Sequence, residues 1–228
     1  MAVVIFGLGI KATNGLVKST INTANSLVKA GIDTSIINIV GKFGGLDFLN
    51  AAFPLDKNVK RYSLDAIELH RDDDIKLKSS LFYKEEQQFL TASYTKYHEE
   101  VLKEINRRLT SDDLVIFVHP LAMKIYLKAN PNSKVKKLVQ IHGNYLEEVD
   151  NFNLLKEHFD EIDYLQTVSK YMRDDLIDIL GSPKDKTIYI PNIAVPISIN
   201  REKQKYLKRV SIIGSIQKEK INLMQYEC

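Results

Sequence analysis

The chain has 228 residues, 44% of them hydrophobic, which is enough for one large α/β domain with a real core or for one and a half smaller ones. Its net charge of +3 is too small to indicate nucleic acid as the main partner. The single cysteine, Cys228, excludes an internal disulfide, and no apolar run reaches the roughly 20 residues that a membrane helix needs. These features favour a cytoplasmic protein with at most peripheral membrane contact.

Strand-like and helix-like segments alternate along the chain, as is typical of a parallel α/β sheet. Strands are predicted at residues 2–6, 34–40, 59–62, 114–118, 137–141, 164–168 and 186–190. Helices are predicted from the cap Asn14 to Gly31, and at 85–109, 122–129, 153–159 and 171–180, the last capped by Ser169. Residues 41–83 are otherwise predicted to be irregular. The sequence thus predicts a Rossmann-like parallel sheet with helices on both faces.

A second domain is predicted to begin near the end of the chain. Residues 1–200 make up the first domain, and residues 201–228 are predicted to be a linker and the first strand and turn of the second. The apolar run 210–213 is followed by Gly214 and, six residues later, by Lys220, which is typical of the opening of a nucleotide-binding domain. Because the sequence stops eight residues after Lys220, we expect this second domain to be truncated.

A glycine-rich loop follows the first predicted strand. Gly7 and Gly9 fit the pattern G-x-G-x-x-[GA], which can hold a pyrophosphate at a helix N-terminus. A dinucleotide site also requires an acidic residue at the end of the second strand, and that strand ends without one. An NAD-dependent oxidoreductase is therefore disfavoured. The loop is either a flexible turn or a phosphate-facing loop that does not bind NAD.

Two histidines follow two buried strands and are the candidate catalytic residues. His119 and His142 should meet at the carboxyl edge of a parallel sheet, where ligands bind. The alternative is that each makes only a local hydrogen bond at its strand end. The remaining histidines have polar neighbours and are predicted to lie at the surface; they are His70, His98 and His158.

Other catalytic patterns have little support. Residues 72–74 contain D-x-D, but they lie in a charged run that is best explained as solvated surface. No histidine or cysteine spacing predicts a metal site. The sequence has neither a G-x-S-x-G nucleophile elbow nor a G-x-x-x-x-G-K-[ST] phosphate loop.

The order of these motifs resembles the amino-terminal half of retaining GT-B glycosyltransferases of family 4. The resemblance is carried by the sequences around Gly7, Asn14 and Gly15, by the strand ends at His119 and His142, by residues 167–172 and 188–193, and by residues 213–220. Within that family the chain is similar to bacterial enzymes that glycosylate teichoic acid or other cell-wall polymers.

The resemblance implies a nucleotide-sugar donor, a UDP-sugar in the first instance, a glycan or polymer acceptor, and no divalent metal or other cofactor. It places Gly7, Gly9, Asn14 and Gly15 towards the donor phosphates, Lys220 against the diphosphate, and His119 or His142 against the sugar or acceptor. Two departures are Ser215, where the family has an arginine, and Ile193, where it has a glycine. The acidic E-x7-E segment of the family is absent, so we expect poor sugar transfer by this chain alone.

A different class of function stays open. The chain is alternatively a non-catalytic remnant or partner subunit, which binds an acceptor, a second chain or another copy of itself.

Overall fold

The computed structural model describes residues 1–7, 14–39, 51–64, 67–69, 75–77, 96–143 and 149–193. The chain divides into two compact units, Met1–Val195 and Pro196–Cys228, and all the described residues belong to the first. The predicted boundary near residue 200 stays a prediction, and residues 201–228 lie outside the described part.

Nine strands and five helices are found among the described residues. The strands are β1 (Ala2–Gly7), β2 (Asp33–Asn38), β3 (Lys60–Ser63), β4 (Ile67–Leu69), β5 (Ile75–Leu77), β6 (Leu114–Phe117), β7 (Lys136–Ile141), β8 (Tyr164–Thr167) and β9 (Thr187–Tyr189). The helices are α1 (Gly15–Lys29), α2 (Lys96–Arg107), α3 (Pro120–Ala129), α4 (Val149–Glu157) and α5 (Lys170–Leu180), and a 3-10 turn spans Phe159–Glu161.

Seven of the strands form one parallel sheet, in the order β3-β2-β1-β6-β7-β8-β9. The neighbouring strands β6 and β7 run in the same direction, with Phe117 opposite Val139. The predicted Rossmann-like α/β fold is therefore confirmed. The short strands β4 and β5 form a separate antiparallel pair.

Hydrophobic cores cover both faces of the sheet, as the near-continuous apolar strands predict. Alternate residues point to opposite faces, so Val4 and Phe6 of β1 lie in one core, whereas Val3 and Ile5 lie in the other. Helices α2 to α5 contribute to the first core, and α1 packs on the second. On the first face Tyr126 of α3 lies 5.4 Å from the Phe6 ring, centroid to centroid.

The local signals that begin and end helices agree with the sequence. Asn14 caps α1 by accepting a hydrogen bond from the Val17 N–H over 2.9 Å, and Ser169 caps α5 by accepting one from the Met172 N–H. After α1, Gly31 has a φ of 78°, a left-handed conformation that glycine adopts without a Cβ penalty.

Two sequence expectations need correction. The short helix predicted at 153–159 begins earlier, at Val149, and ends at Glu157 before the 3-10 turn. His98 was expected at the surface, but it is only 6% exposed, because its helical spacing places it on the same side of α2 as the core residues Val101, Leu102 and Ile105. Polar neighbours in sequence do not report which side of a helix a residue occupies. Of the helix predicted at 85–109, the described part is Lys96–Arg107.

The strand order reverses between β1 and β6. From β1 the chain moves outward to β2 and β3, and it then returns to β6 on the other side of β1 and continues to β9. The connections from these two central strands therefore leave in opposite directions and open a crevice at their carboxyl ends. This is the position at which open α/β sheets bind ligands.

Candidate functional site

A cavity of about 170 Å³ lies at this crevice, beside the carboxyl ends of β6 and β7. It is lined by residues from the starts of α1 and α3, from the ends of β6 and β7, and from α4. These are Leu16, Val118, His119, Pro120, Gln140, Ile141, His142, Gly143, Asn151 and Phe152. The structure therefore brings His119 and His142 together at one cavity, which the sequence predicted from their strand ends.

His119 connects β6 to α3. Its Nδ1 accepts a hydrogen bond from the Leu121 N–H over 3.1 Å, so the imidazole is the N-terminal cap of the helix. Pro120, which has no N–H to satisfy, occupies the first helical turn. His119 thus makes the local hydrogen bond at its strand end that the sequence left open as an alternative. The same side chain also lines the cavity. Since Nδ1 is an acceptor here, the neutral ring carries its hydrogen on Nε2.

His142 directly follows β7 and is largely enclosed. Its Nε2 lies 3.4 Å from Oε1 of Gln140, whereas its buried Nδ1 has no hydrogen-bond partner among the described residues. Burial lowers the pKa of His142 below the ordinary 6.5, and the nearby Asn192 side chain partly opposes this shift. Although Asn192 is close enough to influence the pKa, the two side chains do not meet the geometry of a hydrogen bond. The imidazole is consequently neutral at pH 7.

The segment that leaves β9 lies against α1 and comes close to His142. Asn192 Oδ1 accepts a hydrogen bond from the Ser19 hydroxyl over 2.8 Å, and Asn22 donates from its amide to the Ile193 carbonyl over 2.8 Å. Both contacts hold the segment against α1. Asn192 is therefore fixed between the first helix and His142, although it lies fifty residues further along the chain than the histidine.

The N-terminus of α1 faces the same crevice through Leu16, a cavity residue of its first turn. The first N–H groups of a helix lack intrahelical partners and carry partial positive charge. No acidic side chain is present in this first turn to neutralise that charge. A Cβ at Gly15 would meet no described atom within 4 Å, so space is available beside the helix start.

The other predicted site residues are distributed as follows. Gly7 ends β1, and Asn14 and Gly15 begin α1. Gly9 and Lys220 lie outside the described residues, as does the D-x-D run at 72–74. In the described part of the chain no group of three or more His, Cys, Asp or Glu side chains could hold a metal ion.

Several cavity residues were not selected from the sequence. Asn151 and Phe152 of α4 reach the cavity from a helix that gives no chemical signal of its own. Gln140 does carry a signal, because a glutamine between the buried apolar residues Val139 and Ile141 requires a polar partner. That partner lies on another strand, and the sequence does not name it.

The comparisons with known proteins agree with this architecture. No protein-family model matches the chain. Over 93 residues it is 32% identical to the Bacillus subtilis (strain 168) protein named "Putative glycosyltransferase YtcC", and this stretch is 40% of the chain and 22% of YtcC.

Two solved structures share the fold. A point mutant of S. aureus TarM, in complex with fondaparinux, alpha-GlcNAc-glycerol and UDP, matches with a TM-score of 0.61 and 10% identity, over 90% of this chain and 64% of TarM. Sucrose-phosphate synthase from Thermosynechococcus elongatus matches with a TM-score of 0.54 and 11% identity, over 83% of this chain and 47% of the synthase.

The matches thus span about a fifth of YtcC and about half or two thirds of the two proteins of known structure. At the level of the fold, the predicted resemblance to part of a GT-B glycosyltransferase is confirmed. Among the described residues no helix has the length and apolar character needed to cross a bilayer.

Proposed function

We propose that this chain is the acceptor-side part of a GT-B glycosyltransferase, which transfers a sugar from a nucleotide-sugar to a glycan or polymer with retention. The observation that carries the proposal is the cavity at the strand-order reversal, where His119 and His142 lie beside the N-terminus of α1. A site of this composition offers hydrogen bonds to hydroxyl groups and a positive helix end to a phosphate.

Sugar transfer requires stabilisation of a departing diphosphate and of positive charge on the sugar ring. The N-terminus of α1, with Gly15 in its first turn, would face the phosphates. His142, which is neutral at pH 7 because burial lowers its pKa, would hydrogen-bond a sugar hydroxyl rather than repel the developing charge. Lys220, from the predicted second domain, would pair with the diphosphate, so that no metal ion is required.

The donor and acceptor classes are extensions of this proposal. A UDP-sugar donor and a cell-wall polymer acceptor fit the resemblance to polymer glycosyltransferases, and TarM, which shares the fold, binds UDP and alpha-GlcNAc-glycerol. We propose a cytoplasmic location, which agrees with a chain whose one cysteine cannot form an internal disulfide.

Calorimetric titration of the purified chain with UDP, UDP-sugars and alpha-GlcNAc-glycerol tests the proposal. We expect a sugar ligand to bind, and His142→Ala to weaken its affinity by about tenfold or more, the equivalent of about 1.4 kcal/mol for a lost hydrogen bond. His158→Ala is the matched control, because His158 pairs with Glu161 over 2.6 Å and does not line the cavity. Equal affinities in all three proteins would contradict the assignment of the site.

Gly15→Ala probes the phosphate position separately. The added methyl group would meet no described atom within 4 Å and improves the helix propensity, so we expect folding to be unaffected. A phosphate held against the start of α1 would meet this methyl group. We therefore expect weaker binding of UDP-containing ligands and unchanged binding of the uncharged sugar.

The second candidate is a non-catalytic subunit that binds an acceptor or another chain. The described cavity lining contains no lysine, arginine or carboxylate, which suits an uncharged acceptor and does not require a diphosphate. Sugar binding without UDP binding would support this alternative, and concentration-dependent self-association in sedimentation experiments would identify another copy as the partner.

A further inference from the structure

Two buried glutamines connect His142 to the far edge of the sheet. Gln140 on β7 and Gln166 on β8 are direct partners in the parallel register and are only 4% and 7% exposed. Gln140 Nε2 donates to Gln166 Oε1 over 2.9 Å, and Gln166 Nε2 donates to the carbonyl of Ile190 over 3.2 Å. On its other side, Gln140 Oε1 faces Nε2 of His142 at 3.4 Å.

The direction of these hydrogen bonds is set at one end by the backbone. The Ile190 carbonyl can only accept, so Gln166 must direct its NH₂ group towards it and its oxygen towards Gln140. Gln140 must then donate to that oxygen, which leaves its own carbonyl oxygen facing His142. An acceptor at this position requires a hydrogen on Nε2 of His142.

Burial makes the opposite arrangement costly. Flipping either amide would place two oxygens, or two NH₂ groups, against each other in a region with little access to water. An unsatisfied buried polar group costs about 1–3 kcal/mol. An apolar side chain would fill either strand position without needing a hydrogen-bond partner. The two amides therefore serve to orient each other and His142 rather than to pack the core.

We infer that Gln140 and Gln166 are positioning residues, which hold His142 as the Nε2–H tautomer and leave Nδ1 as the acceptor nitrogen of the ring. The tautomer follows from the geometry alone. Its use rests on the proposed function: with Nε2–H bonded to Gln140, His142 has no free N–H to donate to a sugar hydroxyl, and only Nδ1, which is buried in the free protein, could accept from one.

Nitrogen-15 NMR of histidine-labelled protein tests this inference without any ligand. Spectra are recorded at about pH 8, above the ordinary histidine pKa of about 6.5, so that the ring is neutral. The His142 signals are assigned by their loss in His142→Asn. We expect a protonated, pyrrole-like Nε2, an unprotonated, pyridine-like Nδ1, and a ring proton that exchanges slowly with water.

Gln140→Leu and Gln166→Leu test the role of the glutamines. Each variant keeps the volume of the strand position but removes part of the hydrogen-bonded chain, so exchange of the His142 ring proton should accelerate by about tenfold. Ser182→Ala, which deletes a buried hydroxyl bonded to Thr187 over 2.9 Å, should leave that exchange unchanged.

A proton on Nδ1 in the unmodified protein would overturn the inference, even where a variant fails to fold. Unchanged ring-proton exchange in both leucine variants would also overturn it. Failure of the proposed function can be distinguished from failure of this inference. The NMR measurement needs no ligand, so it reports the tautomer of His142 whether or not the chain binds a sugar.

Discussion

Ser19 and Asn192 are joined by a hydrogen bond of 2.8 Å, although 173 residues separate them in sequence. The bond joins the second turn of α1 to the segment that leaves the last strand of the sheet. Because Asn192 also lies beside His142, this contact links the first helix, the exit segment and the candidate site.

We expect Ser19→Ala and Asn192→Ala each to lower the free energy of unfolding by about 1 kcal/mol, with non-additive effects in the double variant. The reason is that either change removes the same partly buried hydrogen bond. Urea denaturation of the four proteins measures the coupling. Ser26→Ala is the matched control on the same helix, and a Ser19→Ala effect no larger than that of Ser26→Ala would contradict the prediction.

The pH dependence of stability should report the burial of His142. Its pKa in the folded chain is lowered below the ordinary 6.5, so below that pH the unfolded chain binds more protons than the folded chain. The neutral ring is thus compatible with the fold above about pH 6.5, and stability is lost as the pH falls through the lowered folded pKa. Denaturation between pH 8 and about pH 5 should show a steeper loss in the unmodified protein than in His142→Asn. Equal slopes would mean that the ring is not desolvated as described.

Tyr126 should be among the last tyrosines to ionise. Burial raises its pKa to about 12, although a hydrogen bond with Ser133 acts in the opposite direction. Its hydroxyl donates to Asn106 Oδ1 over 2.6 Å and connects α3 to α2. We expect Tyr126→Phe to cost about 1 kcal/mol at pH 7.

The contribution of Tyr126 to stability should decrease at alkaline pH, because its pKa is raised in the folded chain. The stabilisation by the neutral phenol is fully present below the unfolded value of 10.0 and is lost as the pH rises through about 12. The difference in stability between the unmodified protein and Tyr126→Phe should therefore shrink in that window. Ultraviolet titration identifies the phenol, with Tyr171→Phe, at 77% exposed, as the control.

The Asp113 side chain links the start of β1 to the turn that precedes β6. One carboxylate oxygen accepts from the Ala2 N–H, and the other accepts from the Thr110 N–H over 2.8 Å and from the Thr110 hydroxyl over 3.0 Å. Burial alone would raise the pKa of Asp113, but these hydrogen bonds lower it below the ordinary 3.8. We expect Asp113→Asn to cost about 1–3 kcal/mol at pH 7.

The stabilisation of the fold by Asp113 should decrease as the pH falls into the acid range. A carboxylate with a lowered pKa stabilises the fold above about pH 3.8, and this contribution is lost as the pH falls through the folded value. The difference between the unmodified protein and Asp113→Asn should thus narrow in acid. Asp112→Asn, at an exposed neighbouring position, should change little at any pH. A pH-independent difference would exclude an ionised Asp113 as its source.

The sequence was sufficient to predict the parallel sheet, because buried strands that alternate with helices have few other ways to pair. It also predicted the caps Asn14 and Ser169, whose hydrogen bonds reach only three residues along the chain. His119 and His142 were brought to one edge by the same logic, since parallel strands end on the same side of their sheet. The roles of Gly9 and Lys220 and the second domain at residues 201–228 stay predictions.

Only the tertiary structure determined the contacts between groups that are distant in sequence. The pairing of Gln140 with Gln166 depends on the register of β7 and β8, and the bond from Ser19 to Asn192 depends on how α1 packs across the sheet. The burial of His98 depends on the rotation of α2. Local patterns fix which elements form because their energies involve near neighbours, whereas the surroundings of a buried polar side chain are set by the packing of separate elements.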